Sequence, residues 1–250
     1  MTVLVAMTYW RCPQYVERAV QSVLAQTHTD LQLLVIGDGD DVPRLPSDPR
    51  LVTYELPVNR GTYFGHALAL AASPHDWYAP VDADDYVEPD HLAQLLAVGA
   101  DAVVSQVIFH GNDGRLRHPK GTYWVGVHRT QRLRSFGGFN PAERMGQDGL
   151  TQRLLRLTGP VSTAPQRTYH RIKRPGSLTT APRTRIRSPQ RLAMIERNDR
   201  IMAECHALAP DVEAIRQYRL SLVPHNVADA LAHHARELGD LLRATAQVAA

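Results

Sequence analysis

Apolar runs alternate with helix-like segments through the first half of the chain, and this alternation is the strongest constraint on the fold. Four apolar runs predict buried strands, at 3–7, 31–36, 51–56 and 77–81. Between them, apolar residues at helical spacing predict one helix that begins at Pro13 and another over 63–72. This order favours an α/β fold in which a mainly parallel central sheet carries helices on both faces.

The middle of the chain is less regular. We predict its elements, in chain order, as a helix opening at Pro89, a strand over 101–110, a hairpin turn at Asn112-Asp113-Gly114, a partner strand over 121–127, and helices over 129–136 and 147–157.

The last part reads as helical. Ser188-Pro189 is a favourable helix start, and Pro210 and Pro224 divide the remainder of the chain into three segments. Two apolar stripes are expected, one of Leu192, Ile195, Met202 and Cys205 and one of Val227, Leu231, Leu238, Leu241 and Leu242. We therefore predict a domain over 1–185 and a helical extension over 186–250. Packing on the main domain is the favoured cover for the stripes, with a homodimer or a membrane surface as alternatives.

Composition excludes several classes of protein. Hydrophobic residues make up 44% of the chain and charged residues 21%, which is typical of a globular protein. No apolar run approaches the roughly 18 residues of a membrane span, and the first residues lack the pattern of a signal peptide. Two cysteines, Cys12 and Cys205, form neither a disulfide framework nor a zinc pattern. A cytoplasmic location is the expectation.

The charge is unevenly distributed. The net charge is only +3, but the stretch from Gly149 to Ile195 holds ten Lys or Arg residues and no Asp or Glu. This stretch is either a solvated basic face or a surface for an anionic partner such as phosphate or lipid headgroups. Aromatic residues are sparse there, so nucleic acid is not an expected partner.

Polar clusters follow three of the predicted strands, at Thr8-Tyr9, 38–41 and 82–85. Ligands of open α/β sheets bind beyond the carboxyl ends of the strands, so these clusters are expected to face one crevice. Carboxylates as close as those of Asp82-Ala83-Asp84 repel one another unless a cation or hydrogen bonds compensate. Oxygen ligands favour Mg²⁺ or Mn²⁺, which could bridge a diphosphate. The alternative is an Asp-rich turn before a helix.

Several segments together resemble the family 2 glycosyltransferases. In the family's order, Val3 to Asp41 resembles the family's opening, and Asn59-Arg60-Gly61-Thr62-Tyr63 resembles its connection to the next helix. Val81 to Leu92 is similar to its metal-binding DxD segment. Ser135-Phe136-Gly137-Gly138-Phe139 with Gly146-Gln147-Asp148, and then Pro175-Gly176-Ser177-Leu178-Thr179, resemble its catalytic-carboxylate region and its closing loop. The match covers roughly residues 1 to 180. It implies a GT-A fold and an inverting transfer of a sugar from a nucleoside-diphosphate sugar to an acceptor hydroxyl.

The resemblance also implies roles for individual residues. Thr8 and Tyr9 would flank the nucleotide base, and Asp38 would accept a hydrogen bond from it. Asp82, with Ala83 beside it, would contact ribose or metal. Asp84 would be the principal metal ligand. Asp148 would be the general base, and the alternative for Asp148 is a carboxylate placed there because the helix dipole favours it.

The sequence departs from the family pattern in places. Gln147 stands where the family often has Glu, and His66 where it often has Lys or Arg. His66 would reach a phosphate only if protonated, and the equally favoured alternative is a neutral, packed histidine. Arg171 and Arg174 are expected to neutralise the diphosphate near the closing loop. His170 is a candidate to complete the metal shell, with a surface or core histidine as the favoured alternative. Trp124 could stack on a sugar, although a buried Trp is favoured.

Two other functions compete with this interpretation. A sugar-phosphate nucleotidyltransferase would also use an α/β sheet and carboxylate-bound Mg²⁺, but it should carry a glycine-rich loop where this chain has Thr8-Tyr9-Trp10-Arg11. A catalytically inactive nucleotide-sugar-binding protein is the non-enzymatic alternative. The sequence names neither the sugar nor the acceptor.

Overall fold

A computed structural model describes residues 1–111, 113, 115–119 and 123–248. Their strands are β1 (Val3–Tyr9), β2 (Leu31–Asp38), β3 (Leu51–Leu56), β4 (Trp77–Pro80), β5 (Tyr86–Val87), β6 (Ala102–Ser105), β7 (Val107–His110), β8 (Leu116–Arg117), β9 (Tyr123–Arg129), β10 (Ser162–Thr163) and β11 (Tyr169–Ile172). Their helices are α1 (Pro13–Leu24), α2 (Thr62–Ala72), α3 (His91–Ala97), α4 (Thr130–Ser135), α5 (Gln147–Leu157), α6 (Pro189–Leu208), α7 (Val212–Ser221) and α8 (His225–Val248).

The central sheet is mainly parallel, as the sequence predicts. Its strand order is β10-β6-β9-β4-β1-β2-β3, and only β9 runs antiparallel to its neighbours. β1 lies between β2 and β4, with Val3 opposite both Leu31 and Trp77. Every residue of β2 and β4 is buried, which explains why these strands read as continuous apolar runs. The carboxyl ends of β1, β2 and β4 therefore meet at one edge of the sheet.

A second, smaller sheet corrects the expectation of one strand over 101–110. That segment forms two strands, because the chain leaves the central sheet at Gln106, whose side-chain amide donates to the Ala164 carbonyl at 3.1 Å. β6 stays in the central sheet, and β7 joins a four-stranded sheet of order β5-β11-β7-β8.

Only part of the predicted hairpin can be compared with the structure. Asn112, Gly114, Gly121 and Thr122 lie outside the described residues. β7 pairs with β8, whereas β9, the expected partner strand, pairs with β6 and β4. The antiparallel pairing of β9 with the first half of the predicted strand is therefore observed, and its pairing with the second half is not.

The helices of the first half follow their apolar faces. Pro13 occupies the first turn of α1, and Val16, Ala19, Val20 and Val23 are buried against the sheet. α2 is buried almost all round, because α8 covers the face that the sheet leaves open.

The three C-terminal helices pack on the main domain. α6 opens at Pro189, and the Ser188 hydroxyl caps it by accepting the Arg191 N–H at 3.3 Å. The predicted stripe of α6 is wrong for two residues: Met202 and Cys205 are buried, but Leu192 and Ile195 are exposed. The buried side of α6 is instead lined by Met194, Asn198, Ile201, Met202 and Cys205.

The last helix, α8, packs on α2 and β3 of the main domain. Leu238 and Leu242 of α8 are fully buried, and the Gln32 side-chain amide donates to the Leu242 carbonyl at 3.2 Å. Tyr54 donates its hydroxyl to Glu237 at 2.8 Å. Among the described residues, no helix combines the length and apolarity that a membrane crossing requires.

Candidate active site

A cavity of about 550 Å³ lies beyond the carboxyl ends of the central strands. It brings together three predicted clusters, since Thr8 near the end of β1, Asp38 at the last position of β2 and the segment 82–85 after β4 all line it. Asp148, at the start of α5, lines the same cavity. The expected crevice beyond the carboxyl ends of the strands is therefore present.

Asp38 is held in place by backbone and side-chain N–H groups. It is 2% exposed, and its carboxylate accepts the backbone N–H groups of Arg60 at 2.6 Å and Gly61 at 2.9 Å, and the Asn59 side chain at 2.9 Å. Burial raises the pKa of Asp38, and the N–H donors oppose that rise. Gly39 makes the next turn: its φ is +69°, and a Cβ there would lie 2.1 Å from the Asn59 nitrogen.

The acidic cluster consists of Asp82, Asp84 and Asp85. One carboxylate oxygen from each lies within 4.8 Å of the others. Burial, reinforced by Asp84, raises the pKa of Asp82 to about 6. Asp85 is 1% exposed; one of its oxygens accepts the Ile172 N–H at 2.7 Å, and the other, buried, has no hydrogen-bond partner among the residues that the structure describes. A buried oxygen without a partner and three carboxylates whose oxygens lie within 4.8 Å of one another fit a hard divalent cation.

Two arginines from the end of β11 and the following loop balance these carboxylates. Arg174 donates its Nε–H to Asp84 at 2.5 Å, in a half-buried ion pair. Burial alone would lower the pKa of Arg171, but Asp82, Asp85 and Asp148 together raise it. Both guanidinium groups are therefore charged and border the acidic cluster.

Asp148 lies in the first turn of α5, where the helix dipole favours a carboxylate. Tyr63 of α2 fixes it from two directions. The Tyr63 hydroxyl donates to the carboxylate at 3.2 Å and accepts the Asp148 N–H at 3.4 Å. Asp148 also contributes to the raised pKa of Asp82 and of Arg171, so its charge acts directly on the acidic cluster.

The C-terminal helices hold the start of α5. Asn198 of α6 donates to the Gly146 carbonyl at 2.9 Å. Arg219 of α7 is 4% exposed and donates to the carbonyls of Phe136 at 2.9 Å and Gly138 at 2.7 Å. Its second nitrogen reaches the side-chain oxygen of Gln147 at 3.5 Å. Gln147, the residue beside Asp148, therefore contacts α7 and does not line the cavity.

Two histidines, His66 and His170, take the packed alternatives and not the ligand roles that the sequence left open for them. His170 is turned away from the acidic cluster: its ring nitrogens bond Glu88 at 2.6 Å and His110 at 2.8 Å, and its ring stacks on Tyr86. His66 lines the cavity wall but is 1% exposed and bonded to the Tyr78 hydroxyl at 2.8 Å. Burial lowers the pKa of His66 to about 3, so its imidazole is neutral and cannot pair with a phosphate as a cation.

The remaining predicted residues divide between wall and interior. Ala83 lines the cavity, whereas Tyr9 is buried and does not line it. Burial, together with the nearby carboxylate of Asp40, raises the pKa of Tyr9 to about 12. Trp124 is buried, as the sequence favours, and packs edge-to-face on His66 at a centroid distance of 5.1 Å, but it also lines the cavity.

Sequence reasoning missed several residues of this site. Trp10, directly after β1, is 42% exposed and lines the cavity. Asp85 lay within the predicted 82–85 cluster but was given no role, and it completes the acidic cluster. The position of Trp10 directly after Thr8-Tyr9 was the available signal. Arg191 of α6 holds the loop over the cavity by donating to the carbonyls of Thr184 and Leu178, each at 2.8 Å. No local pattern marks this long-range contact.

Comparison with solved structures places the fold. A structure of S. aureus TarS 1-349 in complex with UDP-GlcNAc superposes with a TM-score of 0.65 at 18% identity, over 99% of this chain and 91% of that one. TarS 1-349 alone gives a TM-score of 0.62 at 17% identity, over 99% and 90%. The GT-A type of fold expected from the sequence is confirmed.

Sequence comparison places the family. An uncharacterized glycosyltransferase of Nostoc sp. is 29% identical over 125 residues, which are 45% of this chain and 39% of the relative. The succinoglycan biosynthesis protein ExoO of Rhizobium meliloti is 33% identical over 107 residues, 39% of this chain and 31% of the relative. The alignments thus span well under half of these relatives. The model of glycosyl transferase family 2 matches residues 4–171, and the chain belongs to that family.

Proposed function

We propose that the chain is an inverting, metal-dependent glycosyltransferase that moves a sugar from a nucleoside-diphosphate sugar to an acceptor hydroxyl. The observation that carries the proposal is that Asp148 and the acidic cluster face one cavity beyond the ends of β1, β2 and β4. Membership of family 2 supports the transfer itself.

The donor is a nucleoside-diphosphate sugar with its base at Asp38. Three N–H donors occupy the Asp38 carboxylate, which can accept about four hydrogen bonds, so one position is left for a base N–H. Thr8 and the exposed ring of Trp10 line the same cavity. The solved complex of the structural neighbour TarS with UDP-GlcNAc makes a UDP-sugar the first donor to test.

A divalent cation would be held by Asp82, Asp84 and Asp85. Their clustered oxygens and the unpartnered oxygen of Asp85 suit Mg²⁺ or Mn²⁺. Such an ion would supply positive charge for the diphosphate leaving group. Arg171 and Arg174 add two fixed positive charges beside it, and Arg174 would exchange Asp84 for a phosphate oxygen when the donor binds.

Asp148 is the base that deprotonates the acceptor hydroxyl. Of the carboxylates that line the cavity, Asp38 is engaged by N–H groups and the other three form the acidic cluster, which leaves Asp148. A single base suffices for one displacement with inversion, since the hydroxyl attacks the sugar from the face opposite the leaving group.

The substitution Asp148→Asn tests this role. The amide keeps the shape and the bond from Tyr63 but cannot take a proton, so we expect transfer to fall by at least about a hundredfold while donor affinity changes little. Calorimetric titration of the nucleotide and steady-state transfer measure the two quantities. Asp101→Asn, which changes an exposed carboxylate paired with Arg129, is the matched control. Undiminished transfer by Asp148→Asn would remove Asp148 as the base, and a wild-type chain that binds donor without transfer would favour the inactive binder.

The metal site is tested separately. We expect chelation to abolish transfer and Mn²⁺ or Mg²⁺ to restore it, and Asp84→Asn to weaken Mn²⁺ binding in the presence of a nucleoside diphosphate by at least about tenfold. Calorimetry of Mn²⁺ with and without the nucleotide measures this directly. Full transfer in the presence of excess chelator contradicts metal dependence.

A further inference from the structure

A basic apolar patch borders the cavity on the side of the C-terminal helices. We define it by three exposed apolar side chains, Ile186 (68% exposed), Leu192 (52%) and Ile195 (47%), and three exposed arginines, Arg183, Arg185 and Arg187. Exposed apolar side chains are unremarkable singly, but three within ten residues are unusual on a surface that interacts only with water.

The patch carries positive charge that the protein does not neutralise. Within the described ranges, none of its three arginines forms an ion pair. They lie in the stretch from Gly149 to Ile195 that holds no Asp or Glu. Hydrogen bonds fix the conformation of the adjoining loop, since the Arg191 side chain donates to the carbonyls of Thr184 and Leu178. A preformed surface of this kind suits a partner that is both anionic and apolar.

The position of the patch connects it to the site. Leu178, Arg183 and Thr184 line the cavity, and Leu178 is itself 42% exposed. A partner bound to the patch would therefore lie at the mouth of the cavity.

We propose that the basic apolar patch docks on the surface of an anionic phospholipid bilayer. Arginines bind lipid phosphates while aliphatic side chains enter the boundary between headgroups and acyl chains. A second copy of this chain fits the patch poorly, because a two-fold contact through it would oppose arginines to arginines. Nucleic acid is disfavoured because the patch contains no aromatic ring for base stacking. The docking is independent of the transfer reaction, so its test requires neither donor nor acceptor.

The experiment measures binding of the full chain to lipid vesicles by co-sedimentation. We expect binding to phosphatidylcholine vesicles that contain phosphatidylglycerol, little binding to phosphatidylcholine alone, and weaker binding as salt rises. The triple variant Arg183→Gln, Arg185→Gln, Arg187→Gln should lower the partition coefficient about a hundredfold. Ile186→Ser should lower it several-fold without changing the charge.

Matched variants separate the patch from net charge. The triple variant Arg115→Gln, Arg236→Gln, Arg243→Gln removes the same charge from exposed sites elsewhere, and Leu220→Ser removes an exposed leucine of α7. Both should bind vesicles within about threefold of the wild type. Absence of binding to anionic vesicles, or equal loss in the two triple variants, overturns the proposal. A dimer in light scattering that Ile186→Ser dissociates would overturn it in favour of a second copy.

Discussion

Burial decides what His66 does at the scale of the single residue. Its place in the chain allowed either a phosphate ligand or a neutral, packed histidine, and its ring is packed among Tyr78, Trp124 and Phe139 with 1% of the residue exposed. Since desolvation penalises the charged imidazole, the pKa of His66 falls to about 3 in the folded protein, against about 6.5 in the unfolded chain. The consequence is a contribution to stability that depends on pH.

That contribution can be measured with His66→Gln. The folded pKa lies below the unfolded one, so the unfolded state takes up the proton as pH falls below about 6.5, and stability declines. Between pH 7 and pH 5 this histidine should account for about 2 kcal/mol of lost free energy of unfolding, which the variant should not lose. Urea unfolding at both pH values tests it, with exposed His206→Gln as control. An identical pH dependence in the wild type and in His66→Gln would contradict a neutral, buried His66.

The position of a residue on its strand explains which site residues could be predicted from the sequence. The carboxylates after β4 follow an apolar run directly, so their place at the sheet edge is readable from the sequence. The residues of β11 are not readable in this way, because the sequence does not show which face each one takes. Tyr169 and Arg171 line the cavity, and His170 between them points to the opposite face.

The start of α5 is the element on which the proposed chemistry depends, and helices far along the chain support it. Gln147 and Asp148 open the helix, as the sequence predicts. The sequence carries no local signal that Asn198 and Arg219 would fix this turn, since their contacts join residues 52 to 83 positions apart. Both residues also lie beyond the end of the family match at residue 171. The helical extension is thus part of the site's scaffold.

Removing Arg219 tests this support. Arg219→Met leaves the carbonyls of Phe136 and Gly138 without their buried donor, so we expect a loss of about 2–4 kcal/mol in the free energy of unfolding. Because Asp148 would then shift, kcat should fall by up to about a hundredfold while the KM for the donor stays nearly constant. Arg216→Met, on the same helix and paired only with Glu213 at the surface, should cost under about 1 kcal/mol. A stable Arg219→Met variant with unchanged kcat would show that α7 plays no part in positioning.

At the scale of the whole molecule, the extension and the main domain share one hydrophobic core. Their predicted separation at residues 185 and 186 follows the change in sequence pattern, but the buried residues of α6, α7 and α8 pack with those of the sheet. The predicted apolar stripe of α8 is correct for Leu238 and Leu242 and wrong for Leu241, which is exposed. The surface that covers the stripe could not be predicted, because helical spacing indicates a buried face without identifying its partner. Here α2 and β3 provide the cover.

Two leucines three positions apart on α8 test whether this shared core behaves as one unit. Leu238 is fully buried and Leu241 is 36% exposed. Leu238→Ala should lower the free energy of unfolding by about 2–5 kcal/mol through lost burial and a cavity, and Leu241→Ala by under about 1 kcal/mol. Denaturant unfolding should remain a single transition for both, followed in parallel by Trp fluorescence from the main domain and by helical circular dichroism. If Leu238→Ala instead splits the curve, with helix lost before the Trp signal changes, then the extension folds as a separate unit, and its hold on α5 would be a contact between domains.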